Sequence, residues 1–276
     1  MTFESKYGPW ALVAGASDGV GAAFAEALAE RGLNVVLVAR RQSALDEVAR
    51  GIADRTGVQT RTLVVDLSAP EASRAIADAT HDLQIGFLAY CAGADPTFRP
   101  FLETPIEVSE SLVQRNCVTL MQLCHQFAPR MVERGTGGIV IFGSGAGLVG
   151  GPNMVAYGPS KAFDMILAEA LWSELNPKGI DVIGLILGKT DTPALRQLEF
   201  ERGQLASLTA IPNGADTVDS VVAEAFANLT DGPTVFVGDQ MRTAVTMLGQ
   251  VSRNDAVRSM AMASAASMGD ALSTAI

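Results

Sequence analysis

The chain reads as an α/β protein built on one doubly wound parallel sheet in a single domain, and three observations predict it. Short β-rich runs alternate with longer helical patterns from one end to the other. The runs are continuously apolar rather than alternating, as strands covered on both faces are. The first run leads through a glycine-rich turn directly into a helix, the opening of a βαβ unit with its right-handed crossover.

Each element has a local reason. Trp10–Ala14 is an apolar strand, and Val20–Arg31 a helix that Gly32 ends. Asn34–Ala39 is the second strand, followed by a helix over Ser43–Thr56 stopped by Gly57. Thr60–Val65 is the third strand. Pro70–Ala79 is a helix whose proline suits a first turn. Ile85–Cys91 is the fourth strand, and Pro105–Arg134 one long helix or two joined ones, with Pro129 predicting a kink or break near the end. Gly138–Gly143 is the fifth strand, Val155–Leu175 a helix, and Ile180–Leu187 the sixth strand. A helix near Ala215–Leu229 precedes a short last strand, Thr234–Val237. No repeat or linker interrupts residues 1–238, which form the catalytic domain, with 193–212 as a lid segment; 239–276 is a helical tail packed on the same domain.

With 276 residues, 48% of them hydrophobic, the chain can fill a sizeable core. The net charge of −10, without a basic block, argues against nucleic acid or an anionic membrane as a partner. A small neutral or apolar molecule is the more natural one, and the expected assembly is a homodimer or homotetramer. Met1–Trp10 carries Glu4 and no apolar run, and the apolar stretches are too short to span a bilayer. Cys117 and Cys124, seven residues apart on one helix, would stand roughly 10 Å from each other, too far for a disulfide. Three cysteines without a framework suggest the cytoplasm.

The first turn, Ala14-Gly15-Ala16-Ser17-Asp18-Gly19-Val20-Gly21, has glycines that let the backbone approach a pyrophosphate while the helix N-terminus favours its charge. The same glycines also suit an ordinary steric turn; the position, at the first βα turn, favours the cradle. The second strand ends in Arg40 and Arg41 with no acid at its tip, which fits a 2′-phosphate better than two ribose hydroxyls. Asp66, after the third strand, can accept from an adenine amino group or cap a turn.

Tyr157-Gly158-Pro159-Ser160-Lys161 puts a phenol and an ammonium on one helix face, where the cation favours the phenolate and tunes a proton-transfer group. By itself a Tyr-x-x-x-Lys pair is common surface decoration. Ser144 lies at the end of the fifth strand, where a doubly wound sheet opens its ligand crevice, although it also suits a turn cap. Asn116 falls on the apolar stripe of the long helix, so its amide needs partners.

With these residues in place, the chain over 8–238 resembles the short-chain dehydrogenase/reductase family, whose fold is a Rossmann-type sheet. Gly15-x-x-x-Gly19-x-Gly21 matches its cofactor loop; Asp66-Leu67 and Ala92-Gly93 match its stretches after the third and fourth strands, with Cys91 beside them a further cofactor-binding candidate. Asn116, Ser144, Tyr157 and Lys161 match its catalytic four, and Gly188, Thr190 and Thr192 its nicotinamide loop. The resemblance implies that Tyr157 acts as general acid or base, Lys161 binds the nicotinamide ribose, Ser144 polarises the carbonyl and Asn116 holds a relay water. It implies a cofactor that carries the hydride. NADP(H) is the expected cofactor, with NAD(H) the alternative. The chain departs from the family at Tyr90 and Cys91, which replace two asparagines; at Leu187, which replaces a proline; and at Asp18, where many NADP-dependent members carry a base.

The reading is an oxidoreductase of a largely apolar ketone or secondary alcohol. Its rivals are an NAD(H)-dependent enzyme or epimerase of the same family, and a silent cofactor-binding sensor. His81 and His125 lack metal-ligand spacing, so no metal is expected. Arg115 and Cys117 read as helix-face and core residues. The crevice walls are expected from Leu148, Val149, Met154, Leu195, Leu198, Leu205 and Leu208, with Arg196 and Arg202 offset by Glu199 and Glu201. The tail methionines read as packing, or else as a pocket wall or subunit contact.

Overall fold

The computed structural model describes residues 2–94 and 98–268. After a short helix α1 (Phe3–Tyr7), which has no counterpart in the sequence reading, the elements run β1 (Trp10–Ala14), α2 (Gly19–Glu30), β2 (Asn34–Ala39), α3 (Gln42–Thr56), β3 (Thr60–Val64), α4 (Ala72–Ala79) and β4 (Ile85–Tyr90). Next come α5 (Ile106–Val113), a π-helical stretch Gln114–Thr119, α6 (Leu120–Arg134), β5 (Gly137–Ser144), α7 (Tyr157–Leu175) and β6 (Ile180–Leu187). The chain ends in α8 (Pro193–Glu201), α9 (Val218–Ala227), β7 (Thr234–Phe236), α10 (Asp239–Leu248) and α11 (Arg253–Met268). The expected tail beyond Met268 lies outside the described residues.

The sheet is seven-stranded in the order β3-β2-β1-β4-β5-β6-β7, and every pairing is parallel. This is the doubly wound, Rossmann-type architecture. Alternate residues of each strand serve opposite layers. Ala11, Val13, Val35, Leu37, Phe87 and Phe142 pack with Phe24, Leu28 and Val221 of the helices on one side. Leu12, Ala14, Val36, Val38, Leu88 and Ile141 pack with Ile76, Leu120, Phe127 and Ala168 on the other. Burying a Leu or Phe contributes about 1.5–3 kcal/mol, which is why both strand faces are apolar.

The order reverses between β1 and β4, and a crevice opens there at the carboxyl ends of the strands. The turn after β1, the Cys91-Ala92-Gly93 stretch after β4, Ser144 at the end of β5 and Gly188 after β6 all fall on that rim.

Three local expectations are corrected. Pro70 precedes α4, whose cap is Glu71; Ala69 and Ala72 close a turn before the helix begins. The break expected at Pro129 does not occur, and α6 runs on to Arg134, the end the sequence marks. Proline removes one backbone bond, and the buried neighbours Phe127, Ala128 and Met131 hold the helix through that loss. The interruption lies instead at Gln114–Thr119, where the backbone widens into π geometry around Asn116.

Candidate active site

The glycine loop packs against the other half of the sheet. A Cβ on Gly21 would stand 2.0 Å from the Gly15 carbonyl oxygen, so only glycine permits this turn. At Gly93, with φ at +123°, a Cβ would stand 2.9 Å from Lys161 Nζ and 2.8 Å from Asn116 Oδ1. Val20 and Gly19 share the cleft wall with Gly15, and Gly19 faces Thr192, the N-cap of α8.

Lys161 is buried and donates to Asp164 Oδ2 at 2.7 Å and to the Phe142 carbonyl at 3.1 Å. Burial pulls the Lys161 pKa down; the Asp164 carboxylate and, after it, Tyr157 together reverse this, so the ammonium titrates above the ordinary lysine value. Burial pushes the Asp164 carboxyl up, against the attraction of Lys161. Lys161 Nζ lies 5.9 Å from the centroid of the Tyr157 ring. Phe98 packs edge-on against that ring, with centroids 5.5 Å apart.

Ser144 Oγ accepts from the Ala146 amide at 3.2 Å, which leaves its hydroxyl proton available to the cleft. The turn-cap role and the cleft position coexist. Asn116 is fully buried, and its amide donates to the Gly93 carbonyl at 3.1 Å and to Ser160 Oγ at 2.8 Å. Ser160 Oγ in turn donates to the Tyr157 carbonyl at 2.8 Å. Asn116 is therefore joined to the first turn of α7, behind the cleft rather than in its wall. Arg115 is not a plain helix-face residue: it donates to Asn116 Oδ1 at 3.2 Å and to the Ala94 carbonyl at 2.8 Å.

The remaining expected binding residues fall in two groups. Cys91, Ala92, Gly93, Gly188, Thr190 and Thr192 line the cleft with Asp18 and the glycine loop. Ser17, Arg40, Arg41, Asp66 and Leu67 lie outside its wall. Arg41 closes on the Asp18 carboxylate and donates to Ser17 Oγ at 3.3 Å. Asp66 Oδ1 accepts from the Ser68 amide and hydroxyl, so it does cap a turn. Burial pushes its carboxyl up, but the Ser68 bonds, with Arg40 and Arg115 nearby, hold it below its usual value. Leu67 is buried, and its carbonyl accepts from Thr119 Oγ1 at 2.8 Å.

The cleft encloses about 760 Å³. Met154, Leu195 and Leu198 line it as expected, while Leu148, Val149, Leu205 and Leu208 do not. Val149 is instead buried in the body, and Leu208 faces solvent. Glu201 lines the wall, Phe98 does so unforeseen, and Met241, which the sequence left between packing and pocket wall, packs where a side chain on Gly145 would go. The charge pairing also differs: Arg196 pairs with Asp191 and Lys189 with Glu199. Asp164 was legible as a charge three residues after Lys161 on the same helix.

These features fit a nicotinamide dinucleotide. The α2 N-terminus and its glycines form a phosphate cradle that a Cβ would fill. Thr190 Oγ1, buried on the cleft wall, has no protein hydrogen-bond partner where a carboxamide group would need one. Among the described residues no group of three or more His, Cys, Asp or Glu could hold a metal ion. No described helix is long and apolar enough to cross a membrane.

A doubly wound sheet with this glycine-lined rim is the architecture of a dinucleotide-binding protein. The chain belongs to the short-chain dehydrogenase family, whose model matches residues 9–202. It is 33% identical over 251 residues to a 7beta-hydroxysteroid dehydrogenase of Mediterraneibacter gnavus, covering 89% of this chain and 92% of that one. A solved structure from work on 7beta-hydroxysteroid dehydrogenase stereoselectivity superposes with a TM-score of 0.84 at 31% identity, over 94% of this chain and 99% of that chain. A short-chain dehydrogenase from Sphingobium yanoikuyae in complex with NADPH does so with a TM-score of 0.72 at 33% identity, over 83% and 87% of the two chains. The protein is an oxidoreductase acting on hydroxyl or carbonyl groups.

Proposed function

We propose that the protein interconverts a bulky, largely apolar ketone and its secondary alcohol, of hydroxysteroid size, using NADP(H). The observation that carries this reading is the cleft itself. Its roughly 760 Å³ are shared with the glycine loop, Asp18, Thr190 and Thr192, where the dinucleotide would lie, and the rest of the wall is Phe98, Met154, Leu195, Leu198 and Met241 beside Ser144, Tyr157 and Lys161. Such a wall holds a rigid apolar body by area burial and leaves one polar anchor. The 7beta-hydroxysteroid dehydrogenase likeness over nine-tenths of both chains supports the substrate size.

A nicotinamide dinucleotide held here would supply or take up the hydride. Gly15, Gly19 and Gly21 would hold its pyrophosphate, Thr190 and Thr192 its carboxamide end, and Lys161 its ribose. Ser144 donates a hydrogen bond to the substrate oxygen and polarises the carbonyl without giving up its proton. Tyr157 gives its phenolic proton to that oxygen during reduction and takes it back during oxidation. Asn116, spent on Gly93 and Ser160, braces the Tyr157 turn. The α8 segment, with Thr192 facing Gly19, serves as the closing lid.

A panel of sugars, charged acids, cyclic ketones, aromatic ketones and a 7β-hydroxysteroid, with both nucleotides and nicotinamide absorbance as the signal, tests the reading. Best turnover is expected on the steroid or another bulky cyclic compound. Best turnover on a polyhydroxylated or multiply charged compound overturns it. Nucleotide binding without turnover of any member would favour the sensor instead.

A further inference from the structure

Asp164 stands out among the buried groups. It lies on the sheet-facing stripe of α7 with Lys161, Ala168 and Leu175, and only 2% of it is exposed. An apolar side chain there would bury area without electrostatic cost, and replacing a buried ion pair by apolar residues is often neutral or stabilising. The carboxylate is also under-used as a structural device. Oδ2 accepts from Lys161 at 2.7 Å, while Oδ1 has no hydrogen-bond partner within the protein.

We propose that Asp164 is a positioning residue that holds the Lys161 ammonium in place and offsets its charge, so that Tyr157 keeps its proton through neutral pH and the site is poised for carbonyl reduction. The inference rests on the catalytic reading given above. Lys161 alone would draw the proton off a neighbouring phenol. Paired with Asp164 it presents nearly no net charge. Reduction needs the protonated phenol and oxidation the phenolate, so the pair favours the first reaction at neutral pH and shifts the second to alkaline conditions.

The other groups around the pair leave this balance to Asp164. From the π-helical stretch come Arg115, engaged with Asn116 and Ala94, and Cys117, which burial pushes up to about 11. From β4 and its end come Tyr90 and Cys91, both raised by burial well out of the working range. On α6, burial pushes the Cys124 thiol up to about 12. All of these thiols and Tyr90 stay neutral. Glu107 and Glu110 of α5 are exposed, β5 contributes the Phe142 carbonyl, and β6 carries Asp181, which Tyr7 and Lys6 engage. Lys178, after α7, is exposed.

The test compares wild type with Asp164→Asn, a substitution of almost equal shape. Rates of 7-ketosteroid reduction with NADPH and of 7β-hydroxysteroid oxidation with NADP⁺ are followed against pH. Tyr157 and Asp164 are two helical turns apart, about 10 Å, and at an effective dielectric near 20 one charge at that range moves a titration by about one pH unit. The alkaline fall-off of reduction and the acid limb of oxidation should both move down by that amount in the variant. Unmoved limbs, with only a lower melting temperature, would show a plain structural pair and overturn the proposal. Turnover that survives Tyr157→Phe would sink the catalytic reading itself, a separate outcome. A second readout needs neither turnover nor the variant: ¹³C-labelled lysine spectra of the wild type. The Lys161 signal should titrate above the ordinary lysine value of about 10.4. Titration below that value means that burial outweighs Asp164, and the proposal fails.

Discussion

The Tyr90 hydroxyl donates a 2.5 Å hydrogen bond to the main-chain carbonyl of Arg115, tying the end of β4 to the π-helical stretch that carries Asn116. Two asparagines are the family's usual residues at 90 and 91, so a phenol supplies here a polar link between the sheet and the helix. Tyr90 is 1% exposed, and its partner lies one residue before Asn116. Tyr90→Phe is expected to lose about 1–2 kcal/mol, the cost of a buried hydrogen bond, and to lower turnover by loosening the Asn116 brace. Thermal unfolding and steady-state rates check this together. An unchanged melting temperature would show that the link carries no stability.

Tyr157→Phe removes the phenolic oxygen while keeping the ring that packs on Phe98. Turnover should fall by about 10²–10⁴-fold, the usual contribution of a positioned acid or base, with nucleotide affinity nearly constant. Lys161→Ala should damage both quantities if the ammonium serves ribose and phenol as proposed, and it also leaves Asp164 buried without its cation. Stopped-flow turnover and nucleotide fluorescence titration separate the two effects. A lysine variant that loses rate alone would remove the ribose contact from the scheme.

The sheet was legible because its signals are local and strong. β1, β2 and β6 fall on the residues their apolar runs mark, since a strand buried on both faces has no polar position to blur its ends. The glycine loop and the Tyr157–Lys161 pair were legible because each needs particular residues at particular spacings. What escaped depends on tertiary context. The π-helical stretch adds no hydropathy signal, only a change in backbone spacing around Asn116. The helix end at Arg134 was legible, but the break expected at Pro129 does not occur, because packing at Phe127 and Met131 outweighs one missing backbone bond. Phe98 and Met241 enter the cleft from a loop and a tail helix whose sequences resemble ordinary packing. The Arg41–Asp18 pair joins residues 23 apart in the chain, and nothing short of the fold brings them together.

That last pair reshapes the expectation about the nucleotide. An acid in the glycine loop would repel a 2′-phosphate, but Asp18 is paired with Arg41, which cancels its charge. The guanidinium that does so is no longer the natural phosphate ligand. Arg40, exposed at the tip of β2 and near enough to Asp66 to add to the Ser68 bonds that hold its carboxyl down, is left to take that part. A charge-assisted hydrogen bond contributes about 1.5–3 kcal/mol, or roughly 10- to 100-fold in affinity. Arg40→Ala should therefore weaken NADPH by that factor and leave NADH unchanged. Arg41→Ala should weaken NADPH as well, because it exposes the Asp18 carboxylate to the phosphate, and the additional variant Asp18→Asn should restore much of the loss. Dissociation constants for both nucleotides, measured at low and high salt, decide the matter. A wild type that binds NADH more tightly, or a ratio indifferent to Arg40, would place the discrimination elsewhere in the cleft.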